Sequence, residues 1–294
     1  MTRILSGQPV NEAVLGRVSD AVSRLRERNS RLPGLAVVLV GDNPASHAYV
    51  ASKKKACERV GFRSFDYRVE AKISESELLD LVRRLNADLA VDGILVQLPL
   101  PKGIRESVII EAIHPDKDVD GFHPVNVGRL LTGLPGFWPC TPHGVLALLD
   151  HYGIATAQKH VVIIGRSNIV GKPMAALLIQ PGRDATVTVT HSKTPDLHRF
   201  TRQADILIAA VGRPEMVTAE MVKPDAVVID VGINRVPDPS TPKGYRIVGD
   251  VATDAVSKVA SAMTPVPGGI GPTTIAMLMH NTLLSYQRRE GETL

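Results

Sequence analysis

Val161-Val162-Ile163-Ile164-Gly165-Arg166-Ser167-Asn168-Ile169-Val170-Gly171-Lys172-Pro173 is the stretch that decides the fold. Four branched apolar residues in a row read as a strand buried on both faces. A glycine turn follows, and a helix begins after it. A strand–turn–helix of this kind offers backbone N–H groups and the positive end of a helix dipole to an anion, most often a nucleotide phosphate. The spacing departs from G-x-G-x-x-G, because Ser167 replaces the second glycine and Val170 stands at the third. The bare pattern is therefore weak, and a tight connection is the alternative reading.

The next strand strengthens the nucleotide reading. Residues 185–190 form a Thr/Val strand about 20 residues on, where an NAD-binding unit places an acid for the ribose hydroxyl. Here the strand ends in His191-Ser192-Lys193, without an acid, and Arg166 sits in the glycine turn. A hydroxyl with cationic groups suits a 2′-phosphate, which favours NADP over NAD; ordinary solvated loop residues are the alternative.

Working outward, 294 residues with 44% hydrophobic and 22% charged content fit two domains of a globular protein. The net charge of +4 comes without a Lys/Arg block and with only 4% aromatics, which argues against nucleic acid as a partner. Cys57 and Cys140 form neither a disulfide framework nor a zinc pattern. No apolar run reaches the length of a signal peptide or a membrane span, so a cytoplasmic protein is expected.

Strands near 35–40, 63–69 and 93–98 alternate with helices near 44–60 and 74–87, after a first helix over 9–28. This order predicts a mostly parallel sheet. Asn43-Pro44 marks one helix start, Gly61 its end, and Ser74 with Glu77 a capping box. The Pro/Gly-rich segment 114–141 reads as a domain boundary, and Thr141-Pro142 as the cap of a helix to about 151. Strands at 160–164, 185–190, 205–211, 226–231 and 261–264 follow, and a last helix runs from Gly271-Pro272 to about 289.

On the wheel of helix 44–60, Tyr49, Val50, Ala56, Cys57 and Val60 share an arc of roughly 120°. Lys53 lies in its middle, whereas Lys54 and Lys55 point elsewhere. A lysine on a buried stripe has a lowered pKa and is a candidate acid/base; a snorkelling lysine at the stripe's edge is the alternative. Tyr49-x-x-x-Lys53 also matches the short-chain dehydrogenase pair, but the glycine turn comes after it rather than before. Asp116-Lys117-Asp118-Val119-Asp120-Gly121 opens like an EF-hand, yet Val127 stands where a bidentate Glu is needed, so calcium is rejected. Its carboxylates are then turn formers or substrate ligands. Gln97 ends an apolar strand at the edge where parallel sheets bind ligands. The turn Thr264-Pro265-Val266-Pro267-Gly268-Gly269-Ile270-Gly271-Pro272 permits close backbone approach. Gly212 and Gly232 end two further strands.

Together Tyr49-Val50-x-x-Lys53, Val96-Gln97-Leu98-Pro99-Leu100-Pro101, Lys117-Asp118-Val119-Asp120-Gly121, Gly165-Arg166-Ser167-x-x-Val170-Gly171-x-Pro173, His191-Ser192-Lys193-Thr194 and Pro267-Gly268-Gly269-x-Gly271-Pro272 resemble one family, in order and over nearly the whole chain. It is the bifunctional methylenetetrahydrofolate dehydrogenase/methenyltetrahydrofolate cyclohydrolase, or FolD, family. The resemblance implies two α/β domains with a cleft between them. The first, residues 1–139, would bind tetrahydrofolate, with helix 272–294 packing back on it. The second, residues 140–271, would be a Rossmann-type NADP-binding domain with a parallel sheet. It further implies Lys53 as acid/base, Gln97 orienting it, Tyr49 on the aminobenzoyl ring and Asp120 on the pterin. Val96, Leu98, Pro99, Pro267, Gly268 and Gly271 would line the folate. Gly165, Arg166, Ser167, Ser192, Gly212, Gly232 and Ile233 would hold NADP. No metal is implied, and a homodimer is. Thr273 stands where many members carry Met, which bears on packing over the folate. A shikimate- or amino-acid-type Rossmann dehydrogenase and a non-catalytic NADP-binding module are the rival readings.

Overall fold

The computed structural model describes residues 2–242 and 244–292. In chain order the elements are β1 (Arg3–Ile4), α1 (Gln8–Glu27), β2 (Gly34–Val40), α2 (Pro44–Val60), β3 (Arg63–Val69), α3 (Glu75–Ala87), β4 (Gly93–Val96), α4 (Glu106–Ala112), α5 (Pro124–Leu131) and α6 (Cys140–His151). Then come β5 (His160–Ile164), α7 (Gly171–Leu178), β6 (Thr186–Thr190), α8 (Leu197–Thr201), β7 (Ile206–Ala209), β8 (Val227–Asp230), β9 (Asn234–Pro237), β10 (Tyr245–Val248), α9 (Thr253–Val256), β11 (Ala262–Met263) and α10 (Ile270–Glu290). The chain divides into two compact units, Glu12–Cys140 with Ile275–Leu294, and Met1–Asn11 with Thr141–Thr274. Among the described residues no helix is long and apolar enough to cross a membrane.

The first unit is built on a parallel sheet in the order β3-β2-β4. Every residue of the central strand β2 is buried, which explains its unbroken apolar run. The local signals act as their chemistry dictates. Asn43 Oδ1 accepts the Ser46 N–H at 3.3 Å at the start of α2. Gly61, at φ +81°, ends that helix with its N–H on Cys57 O. Ser74 and Glu77 close a reciprocal capping box on α3. Helix α10 is tied in by side chains that bond to backbone. Asn281 Nδ2 donates to Val119 O (2.8 Å) and Trp138 O (3.0 Å), and Ser285 Oγ donates to Asp92 O and Asp116 O.

Two features differ from the sequence expectation. The segment 114–140 belongs to this unit and carries helix α5, whose N-terminus His123 caps through Nδ1 ahead of Pro124, and the division between the units falls at its end, between Cys140 and Thr141. Prolines and glycines there mark a helix start and tight turns ahead of that division. Residues 1–11, expected in the first domain, fall in the second unit because Arg3 and Ile4 pair with Ala262 and Met263.

The second unit holds a six-stranded parallel sheet in the order β1-β11-β8-β7-β5-β6. Buried aliphatic residues of β5, β7 and β8 form its core with Met221, Val251, Val256 and Met263. An antiparallel hairpin, β9–β10, follows β8. The carboxyl ends of β8, β7, β5 and β6 therefore lie side by side.

Candidate active site

In the first unit, α2 presents Ser46, Val50, Lys53, Cys57 and Val60 on its buried face and leaves Lys54 and Lys55 exposed. Lys53 is only 8% exposed. Its Nζ donates to Gln97 Oε1 at 2.9 Å, and Gln97 Nε2 donates to Leu98 O at 2.7 Å. The amide is thereby locked with its oxygen toward the lysine. Its position follows from the sheet, since the Gln97 N–H continues the β2–β4 ladder onto Val38 O. Val96 is buried at the end of β4, and Leu98 and Pro99 form the turn beyond. Tyr49, half-buried, lies one helical turn before Lys53.

Burial pushes the Lys53 ammonium below the ordinary lysine range, with the Asp120 charge opposing it. Asp120 is raised by burial, while the Lys53 charge and a hydrogen bond from the Cys140 thiol hold it down. A lysine in this state gives up its proton more readily than an exposed one. The turn that delivers Asp120 is anchored by Asp118. That carboxylate accepts the Phe122 N–H (3.1 Å), the His123 N–H (2.8 Å) and Asn126 Nδ2 (2.9 Å). Asp118 is thus a turn former, whereas Asp120 is the acid that faces Lys53. Asp116 is exposed.

Sequence reasoning missed two supports of this cluster. Cys140 Sγ donates to Val119 O at 3.3 Å, and burial pushes its thiol well above the usual range. Asn281 clamps the same carbonyl from α10. Both contacts are long-range and leave no local pattern in the sequence.

In the second unit the loops after β5, β6, β7 and β8 carry Gly165–Ser167, Ser192, Gly212 and Gly232–Ile233 in one row. Gly165 has φ +126°, and a Cβ there would come within 2.2 Å of Ala210 O, so no side chain fits where the two loops touch. Arg166 and Ser192 are exposed on neighbouring strand ends, and Ile233 exposes 46% of its surface. A cation, a hydroxyl and an apolar side chain above a glycine turn fit a phosphorylated dinucleotide. The end of α7 differs from expectation. Ser167 Oγ accepts the Val170 (3.1 Å) and Gly171 (3.4 Å) N–H groups, and Ser167 O accepts that of Lys172. These three donors are engaged within the turn, and the Arg166 side chain is exposed beside them. Gly232 also has a packing reason: a Cβ there would meet the Asp250 carboxylate at 2.3 Å. Pro267, Gly268 and Gly271 lie in this unit too. The Gly7 N–H donates to Gly268 O, and buried Thr273 bonds Ile270 O and fills the space beside Gly144. Among the described residues no group of three or more His, Cys, Asp and Glu side chains could hold a metal ion.

The tetrahydrofolate dehydrogenase/cyclohydrolase catalytic-domain model matches residues 5–120, and the NAD(P)-binding-domain model of that name matches residues 139–290. The chain belongs to the tetrahydrofolate dehydrogenase/cyclohydrolase family. Among relatives in this family, the bifunctional protein FolD of Geobacillus thermodenitrificans (strain NG80-2) is 56% identical over 281 residues, 96% of each chain. The crystal structure of the bifunctional FolD of Campylobacter jejuni superposes with a TM-score of 0.92 at 49% identity, covering 98% of this chain and 100% of that one. The Trypanosoma brucei FolD, solved with NADP cofactor and inhibitor, gives 0.94 at 40% identity over 99% of both chains.

Proposed function

We propose that this family member oxidises 5,10-methylenetetrahydrofolate with NADP and hydrolyses the resulting 5,10-methenyl cation to 10-formyltetrahydrofolate. The observation that carries the reading is Lys53, a buried lysine held by Gln97 and facing Asp120. A non-catalytic nucleotide-binding module needs no such group.

Lys53 serves the hydrolytic step in both protonation states. As the neutral amine it takes a proton from the water that attacks the methenyl carbon. As the ammonium it returns a proton to the departing ring nitrogen. Gln97 fixes the direction of Nζ. Asp120 binds the pterin edge and, as a carboxylate, balances a cation that forms beside a lysine. Tyr49 packs on the aminobenzoyl ring, and Val96, Leu98 and Pro99 contribute to the folate subsite. Arg166 and Ser192 take the 2′-phosphate, Gly165 and Ser167 the pyrophosphate side, and Gly212, Gly232 and Ile233 the remaining surface of the dinucleotide. When bound, NADP supplies the hydride acceptor. Water attacks a carbon that is already cationic, so the hydrolysis calls for no metal.

The protein is read as a cytoplasmic homodimer joined through its cofactor-binding units. Strand β6 is the outer edge of the six-stranded sheet, and Ile179 and Val189 are exposed beside it and on it. The direct test is an absorbance assay with methylenetetrahydrofolate and NADP that follows NADPH and the methenyl species separately. NADPH formation with transient methenyl accumulation is expected; no turnover of either folate would sink the reading.

A further inference from the structure

Two buried carboxylates in the second unit have no part in the chemistry above, yet they build the loops assigned to the dinucleotide. Asp250, two residues beyond β10, is fully buried. Its Oδ2 accepts the N–H groups of Val211 (2.6 Å) and Gly212 (2.9 Å), and its Oδ1 accepts the Arg213 N–H (2.9 Å). Three consecutive amides of the loop after β7 thus converge on one side chain. Asn234 Nδ2, from β9, donates to the same Oδ1 at 2.9 Å. Asp230, the last residue of β8, repeats the device one layer below. It accepts the N–H groups of Asp250, Val251 and Gly232, each at 2.9 Å.

The glycines around them are part of the same arrangement. A Cβ on Gly249 would lie 1.8 Å from Asp230 Oδ2, and one on Gly232 2.3 Å from Asp250 Oδ1. Each carboxylate occupies the space a side chain would need. Asp230 therefore places the backbone of Asp250, and the Asp250 carboxylate places the loop after β7 and bears on the turn after β8.

We propose that Asp250, seated by Asp230, is a positioning residue for dinucleotide binding: it holds the Val211–Arg213 loop and the Gly232–Ile233 turn in the shape that receives the cofactor. This rests on the dinucleotide reading of the second unit. An uncharged amide cannot replace the carboxylate. Both oxygens of Asp250 accept N–H donors, and an Asn must turn its NH₂ against one of those sets. The loop then has to move, and a binding group displaced by about 1 Å can cost up to ~100-fold.

The test compares Asp250→Asn and the milder Asn234→Ala with the wild-type full chain. The readouts are the NADP dissociation constant by titration calorimetry and hydrolysis of methenyltetrahydrofolate without NADP. Asp250→Asn is expected to weaken NADP by about tenfold or more, and Asn234→Ala to weaken it by a smaller factor. Hydrolysis, which belongs to the first unit, should stay within about twofold of wild type in both. Wild-type NADP affinity in both variants would overturn the proposal. So would hydrolysis falling in step with affinity, since that marks general unfolding. If Asp250→Asn does not fold, Asn234→Ala decides. Wild-type protein that fails to bind NADP at all would remove the dinucleotide reading itself, and the proposal with it.

Discussion

The hydrogen bond from Lys53 to Gln97 Oε1 favours the charged lysine and aims it. Gln97→Leu keeps the size of the side chain and removes the acceptor. A hydrogen bond to a charged group contributes about 1.5–3 kcal/mol, so the hydrolytic kcat should fall by about 10- to 100-fold. With the acceptor gone, the lysine loses its proton at lower pH, and the rising limb of the pH–rate profile should move down. A profile that keeps its height and position would contradict the assigned role. In the proposed reading Arg166 carries the cofactor preference. Arg166→Ala should lower kcat/KM for NADP through the loss of about 1.5–3 kcal/mol of charge-assisted binding and leave NAD nearly unchanged; equal losses for both cofactors would count against a 2′-phosphate contact. At this scale the sequence was readable where periodicity spoke: of three consecutive lysines, the helical wheel singles out Lys53, and Lys53 is the one that is buried. Cys140, Asn281 and Asp250 were not readable in this way, because their partners lie on turns far away in the chain.

Among elements, the short 3-10 turn at Pro115–Lys117 and helix α5 bracket Asp118, whose carboxylate joins them through Phe122, His123 and Asn126. Burial raises Asp118 to about 7, against 3.8 for an ordinary Asp. Between those values the folded chain keeps a proton that the unfolded chain has lost. The contribution to stability is therefore fully present below about pH 4 and falls as the pH rises toward 7. Asp118→Asn should flatten that slope in urea midpoints measured across the same range; an unchanged slope would place the titration elsewhere. Elements with strong local signals matched the sequence reading: the apolar run of β2, the capping box of α3 and the Gly61 end of α2. Two of those missed had none. Strand β1 is two residues long and exists because it pairs with β11. The β9–β10 hairpin alternates exposed and half-buried residues around a polar link, which reads as loop.

For the whole molecule, membership of the tetrahydrofolate dehydrogenase/cyclohydrolase family rests on two models that together match most of the chain. Light scattering at micromolar concentration is expected to give the mass of a dimer, and a monomer there would refute the proposed assembly. The central claim is that one chain carries both reactions and that a single lysine runs the second. Lys53→Met keeps the apolar length and removes the amine, while Lys54→Met changes an exposed neighbour on the same helix. The most direct measurement is the hydrolysis rate of methenyltetrahydrofolate by these two variants beside the wild type. Lys53→Met should lose about 100-fold or more, the scale of general acid–base catalysis, while Lys54→Met should match the wild type. Hydrolysis at the wild-type rate by Lys53→Met, or its loss in Lys54→Met, would contradict the assignment.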